Sequence, residues 1–170
     1  MELTQAIMER RSIRRYRKDP VCGCAIAGLI EAARQAPSWK NGQCWRFILV
    51  RDPEMLQRIA GENYGAPACI VACGLPEESG RNNEQDYYLV DVAIAMEHLV
   101  LAAVDMGLGT CWVSGRMLQE QVIKEALGIP QEVRVVAMTP LGYPNGDLPP
   151  APAGRRRPTE EIFFSESWGV

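Results

Sequence analysis

One histidine stands among the 170 residues, and it lies midway along an apolar stretch. A histidine-based catalytic triad would have to draw on that one side chain, His98, from inside a packed segment, so hydrolysis of that type is excluded. The six cysteines, at 22, 24, 44, 69, 73 and 111, include no pair with two residues between them, so no zinc ribbon or thioredoxin-type site is indicated. Neither a GxGxxG nor a GxxxxGK[ST] run occurs, which removes a dinucleotide fingerprint and a phosphate-binding P-loop. Net charge is only -3, and no basic face runs through the chain, so neither nucleic acid nor an anionic membrane is expected as a partner. No charged-then-apolar leader is visible, so the expectation is a cytoplasmic protein whose cysteines are free thiols. Internal repeats, low-complexity tracts and a second domain are also missing. The chain reads as one domain over residues 1–144, with an extended arm over 145–170.

What is present centres on the run from Tyr87 to Gly115. Between Tyr87 and Met106 it has neither glycine nor proline, and its apolar residues fall on nearly every side. A helix apolar almost all round is buried rather than laid on a surface. Asp91, Glu97, His98 and Asp105 interrupt it, which argues against a membrane span. The expectation is a core helix, half of it in a subunit interface, stopping at Gly107 and Gly109. His98 is then a packed residue rather than a metal ligand. The segment from Thr110 to Gly115 emerges at the edge of the core, where a ligand-facing loop or a plain turn would sit.

The rest of the chain alternates helices and strands in no strict order. Helices are predicted over Leu3–Glu9, Ala25–Arg34, Asp52 to Glu62 and Met117–Leu127. Strands are predicted over Arg46–Val50, Ala68–Gly74, Val133–Met138 and Glu161–Phe164, with Leu141–Pro144 turning away from the third. Pro76 to Gln85 reads as a polar loop or lid. This mixture defines the α+β class. The arm holds Pro149, Pro150, Pro152 and Pro158 and no apolar run, so it is extended and suited to lying on another subunit.

Two polar features could carry chemistry. Five arginines and a lysine fall within residues 10–18. They form either a solvated basic face or an anion site, since guanidinium forks with a serine hydroxyl can close around a phosphate. Arg155, Arg156 and Arg157 form a second cluster in the arm. The loop Pro37-Ser38-Trp39-Lys40-Asn41-Gly42-Gln43-Cys44-Trp45 is dense in donors and acceptors. It is either a polar surface turn or a loop that hydrogen-bonds a planar heterocycle.

Taken together, these segments resemble the nitroreductase family of FMN-dependent oxidoreductases. The matching pieces are R-R-S-I-R-R-Y at 10–16, A-P-S-W-K-N-G-Q-C-W-R-F at 36–47, and the core helix with G-L-G-T-C-W-V-S-G at 107–115. L-G-Y-P at 141–144 and R-R-R-P-T-E-E-I at 155–162 complete the set. The resemblance implies an α+β fold with a mixed, mainly antiparallel sheet flanked by helices. It also implies a homodimer with two FMN sites at its interface and a C-terminal arm exchanged onto the partner. Arg10, Arg11, Ser12 and Arg14 would hold the phosphate and ribityl chain, and Arg156 would supply a second phosphate cation. Pro37, Ser38, Asn41 and Gln43 would border the flavin ring, partly from the other subunit. Trp112, Val113, Ser114 and Gly115 would lie against the ring. No catalytic side chain and no metal are implied. The expected activity takes a hydride from NADH or NADPH and passes electrons to a nitroaromatic, a quinone or a similar small acceptor by ping-pong turnover. Reductive dehalogenation, flavin fragmentation and non-enzymatic flavin binding are the alternatives. Where many relatives carry S-S-x-N-x-Q-P-W, Trp39 replaces the second serine and Cys44 the proline.

Overall fold

The computed structural model describes residues 1–60, 65–114, 119–146 and 156–169. Five helices surround a four-stranded sheet. They are α1 (Leu3–Glu9), α2 (Gly23–Arg34), α3 (Pro53–Ala60), α4 (Tyr87–Asp105) and α5 (Glu120–Leu127). The sheet contains β1 (Trp45–Val50), β2 (Ala68–Gly74), β5 (Gly109–Thr110) and β6 (Arg134–Gly142), in the order β1-β2-β6-β5. Each neighbouring pair is antiparallel, and the parallel component is one bridge between Ser12 and Thr110. A two-stranded hairpin, β3 (Arg81–Asn82) with β4 (Gln85–Asp86), leads into α4.

Strand β2 explains the layering. All seven of its residues are buried, and they alternate between two cores. Ala68, Ile70 and Ala72 join α2 and α4 on one face, while Cys69, Val71 and Cys73 join α3 and α5 on the other. Period-two alternation normally sends one set of side chains to solvent, whereas here both sets are apolar because helices cover both faces. Helix α4 buries Val92, Ala95, Met96, Leu99, Val100 and Ala103, which recur at helical spacing toward the sheet. Each of the larger ones contributes roughly 1.5–3 kcal/mol of apolar burial. By length and composition α4 could cross a membrane, but here it is the spine of the core. Its opposite face leaves Leu89 and Val90 exposed. His98 points its Nδ1 at the Ala32 carbonyl, 3.3 Å away, and so ties α4 to α2.

Several boundaries differ from the sequence reading. Gly107 takes φ +69° and ends α4, but Gly109 belongs to β5. Strand β6 runs through Leu141 and Gly142 instead of turning there, because β2 and β5 flank it to that point. The Pro76–Gln85 stretch contains a short 3-10 turn over Pro76–Glu78 and most of the hairpin. Helix α2 begins two residues earlier than expected, with Cys22 as its cap. Residues 161–164 form no strand; Thr159–Glu161 is a 3-10 turn, followed by bends. Among the described residues no strand pairs with that backbone, whose amides at 161–163 bond only locally to Pro158 and Thr159, and Ile162 and Phe163 stand exposed. The predicted ends of α3 at Glu62 and of α5 at Met117 lie outside the described residues. Cys22 and Cys24 are joined as a disulfide, which corrects the free-thiol expectation for those two; the other four cysteines are free and buried.

Candidate functional site

The arginine run is fastened to one edge of the sheet. Ser12 bridges Thr110, the Ile13 amide donates to the Thr110 carbonyl at 2.8 Å, and Tyr16 bridges Pro144. The Tyr16 hydroxyl donates back to the Ile13 carbonyl at 2.6 Å. Ile13 and Tyr16 point inward and are buried, while Arg14 and Arg15 point outward and Arg10 and Arg11 are half-buried. The close approach depends on Gly109, because a β-carbon there would meet three Ile13 side-chain atoms at 2.8–2.9 Å. Among the described residues no carboxylate pairs with Arg10 or Arg14. The run therefore presents cationic forks and a serine hydroxyl on an ordered backbone, as a phosphate dianion requires.

The chain beyond β5 continues along the same edge. The Cys111 amide donates to Thr139 Oγ1 at 3.0 Å, and Val113 exchanges both backbone hydrogen bonds with Met138. Trp112 projects outward with its Nε1 donating to Ser114 Oγ at 2.8 Å. Ser12 thus lies beside Thr110, at the start of the 110–114 segment. Gly115 lies outside the described residues. Arg156 is exposed at the start of the last described segment, beside Arg157, whose Nη1 pairs with Glu161 at 3.4 Å. Residues 147–155, between β6 and Arg156, fall outside the described residues.

The 37–43 loop lies elsewhere. It enters β1 at Trp45, which pairs with Gly74, which in turn pairs with Arg134 at the start of β6. The arginine run instead meets Thr110, which pairs with Leu141 at the end of β6. The two features occupy diagonally opposite corners of the sheet. Three strand spacings and seven residues of rise separate them by about 27 Å.

The loop is built under constraint. Lys40, Asn41 and Gln43 take φ of 48°, 58° and 50°, a region non-glycine residues seldom visit. Three such residues in one loop mark a conformation imposed by its surroundings. The Gln43 amide donates to Ser38 Oγ at 3.0 Å, and Gln43 Nε2 reaches Asn41 Oδ1 at 3.3 Å. Asp91, only 3% exposed in α4, anchors the loop from beneath. Its Oδ1 accepts the Trp39 amide at 2.8 Å, and its Oδ2 accepts Ser79 Oγ at 2.9 Å and Cys44 Sγ at 3.5 Å. Burial, reinforced by the neighbouring carboxylate, pushes the Cys44 thiol up to about 11, so it stays protonated and able to donate. The Trp39 indole stacks on Tyr87 with centroids 4.3 Å apart and planes 9° apart. Gly80 makes room for it, since a β-carbon there would lie 2.4 Å from Nε1. A cavity of about 430 Å³ opens beside the loop, bordered by Trp39, Lys40, Glu78 and Arg81.

Sequence reasoning missed Asp91, Tyr87, Gly80 and Gly109 as builders of the site. Asp91 carried a readable signal: a carboxylate on the inward face of an otherwise apolar helix needs donors brought to it. The other three depend on contacts that spacing does not reveal.

Comparison with known proteins agrees with this architecture. The family model described as "Nitroreductase family" matches residues 7–65 and 60–143, and the chain belongs to that family. An Archaeoglobus fulgidus protein provisionally named NADH dehydrogenase/NAD(P)H nitroreductase is 35% identical over 154 residues, covering 86% of this chain and 87% of its own. The crystal structure of a nitroreductase family protein from Clostridium novyi NT is 41% identical with a TM-score of 0.80, covering 85% of this chain and 87% of that one. An FMN-dependent nitroreductase from Clostridium difficile R20291 is 26% identical with a TM-score of 0.82, covering 95% and 98%. The chain is therefore an oxidoreductase of the nitroreductase family, with an α+β fold.

Proposed function

We propose that the protein is a cytoplasmic homodimeric FMN oxidoreductase that takes electrons from NADH or NADPH and delivers them to a nitroaromatic, a quinone or a similar small acceptor. The observation carrying this reading is the diagonal separation of the two polar features. The phosphate-type cluster and the heterocycle-type loop cannot both reach one flavin mononucleotide within a single chain, but two antiparallel copies bring one of each together twice. The surface left bare by one chain suits such pairing. Leu3, Ile7 and Met8 on α1 and Leu89 and Val90 on α4 are exposed, as are Ile162, Phe163 and Trp168 in the arm. Large apolar side chains exposed on several elements are what an interface between copies would cover.

In this arrangement Arg10, Arg11, Ser12 and Arg14 bind the phosphate and ribityl end, with Arg156 carried in by an arm that crosses onto the partner. Pro37, Ser38, Asn41 and Gln43 of the partner border the ring, and the 112–115 segment backs it. Bound FMN supplies the hydride and electron chemistry, and the protein supplies orientation and electrostatics. The Trp112 and Ser114 backbone amides and the Lys40 ammonium would supply positive potential to a reduced, negatively charged ring. Trp39, in place of a small serine, narrows access over the loop and favours flat acceptors.

Complementation tests the shared site. One chain carries Arg10→Ala with Arg14→Ala, and a second carries Asn41→Ala with Gln43→Ala. Each homodimer is expected to lose flavin, while mixed dimers regain one intact site and its absorbance. Anaerobic NADH or NADPH should then bleach the visible flavin band. Mixed dimers that stay colourless would refute the two-chain site, and a yellow protein that neither nicotinamide bleaches would refute the reductase activity.

A further inference from the structure

We propose that Cys22 and Cys24 form a reversible dithiol–disulfide site at the start of α2, open to exchange with small or peptide thiols. The two sulfurs are bonded to each other with one residue between them, and both residues are exposed. The other four cysteines are buried. Burial pushes Cys69 up to about 12 and Cys44 and Cys73 up to about 11, and Cys111 is buried with them, so the pair open to an incoming thiol is Cys22 and Cys24.

Two further features fit exchange rather than a structural staple. Closing so short a loop removes little entropy from the unfolded chain, so folding gains little from the bond. Helix α2 is instead held by Ile26, Leu29 and Ala33 in the core, with Val21 buried just ahead of it and the Val21 carbonyl accepting Arg51 Nη2 at 3.3 Å. The pair can therefore open without releasing the helix. Cys22 is also the helix cap, and its Sγ accepts the Ala25 amide at 3.2 Å. That amide, at the positive end of a 12-residue helix, stabilises a thiolate on Cys22. Gly23 between the two has no atom crowding its β-position, which leaves the approach clear.

The chemistry runs as two exchanges. An incoming thiolate attacks Cys24 Sγ, forming a mixed disulfide, and the electron pair of the broken bond goes to Cys22 Sγ, held by the Ala25 amide. A second thiolate attacks the substrate sulfur of the mixed disulfide and displaces Cys24 as a thiolate. In sum, two thiols become one disulfide, and the protein pair gains two electrons and two protons.

The full-length protein is equilibrated with glutathione at graded reduced-to-oxidised ratios, from both directions, then quenched and alkylated. Cleavage after Lys18 and Arg34 yields one peptide holding Cys22 and Cys24 and no other cysteine. The expected result is a single midpoint, the same from either direction, between the intact disulfide and the doubly alkylated peptide, while the circular dichroism is unchanged. A pair that stays closed in pure reduced glutathione, stays open in pure oxidised glutathione, or halts at two glutathione adducts overturns the proposal. A second measurement uses Cys24→Ser and Cys22→Ser, both compatible with the cap. The thiol remaining at 22 should alkylate several-fold faster near neutral pH than the thiol remaining at 24. Equal rates, or the reverse order, would overturn the assignment of Cys22 as the leaving thiolate.

Discussion

Removing the Asp91 carboxylate should loosen the 37–43 loop and destabilise the whole domain. In Asp91→Ala the Trp39 amide, the Ser79 hydroxyl and the Cys44 thiol all lose their acceptor. A hydrogen bond to a charged group contributes about 1.5–3 kcal/mol, and a buried donor left unmade costs about 1–3 kcal/mol. The three are not additive, because they share one acceptor, and the thiol contact is long. A total of about 3–5 kcal/mol is expected, a third or more of a typical domain's stability. For a chain of this length that corresponds to a fall of roughly 8–15 °C in melting temperature. Asp91→Asn keeps an oxygen for the Trp39 amide, and the serine can turn its hydroxyl, so it should lose only about 1 kcal/mol. Thermal unfolding followed by circular dichroism measures both, and flavin content of the purified protein reads the loop. Asp91→Ala melting within about 2 °C of the parent would show that the carboxylate does not hold the three segments together. A cycle with Ser79→Ala should give a coupling of about 0.5–3 kcal/mol, and zero coupling would remove Ser79 from the clamp.

Three further outcomes follow from the geometry. Gly109→Ala drives a methyl into Ile13 and should displace the arginine run; stability falls by about 1–3 kcal/mol and flavin affinity drops with the sheet intact, so an unchanged affinity by fluorescence titration would contradict the packing. Arg10→Ala with Arg14→Ala should release flavin while the mass by light scattering stays that of the parent assembly, and retained flavin would place the phosphate elsewhere. Glu120 accepts two bonds from Arg134 and one from the Val135 amide; the Arg134 bonds chiefly hold its carboxyl down at about 2, below the ordinary carboxylate range. A depressed carboxylate stabilises the fold above the unfolded pKa of roughly 4.3 and ceases to do so as pH falls toward 2. Glu120→Gln should therefore cost about 1–2 kcal/mol at neutral pH, after allowance for exposure, and flatten the acid limb between about pH 4.5 and 2. Parallel acid-unfolding curves for the two proteins would refute this.

Much of the fold was legible because burial leaves a mark on composition. Tyr87–Asp105 could be placed from its lack of breakers and its all-round apolarity, and Ala68–Gly74 from small apolar residues covered on both faces. Strand ends were less legible. Leu141 and Gly142 look like a turn locally, and only the flanking strands keep them extended. The Glu161–Phe164 stretch has strand-forming residues but no strand beside it among the described residues, so its pattern alone could not fix its structure. The candidate site was legible as residue types, arginines here and amide side chains there. Its placement was not, since nothing in either motif says which end or which edge of the sheet it occupies.

That placement bears on how the candidate site is held. Each half is positioned by a different physical device. The arginine half is a non-helical run clipped onto a sheet edge, and it needs a glycine beneath it so that Ile13 can settle. The 37–43 half is a strained loop held by one buried carboxylate that accepts the Trp39 amide. A dianion is best met by several cations with some freedom to converge, whereas a flat heterocycle is best met by groups whose directions are fixed in advance. If the two halves meet across a dimer, the interface brings the adaptable half of one chain to the rigid half of the other. Flavin binding and dimer stability should then be coupled. Dilution of flavin-free protein should dissociate the dimer at concentrations where the loaded protein remains associated.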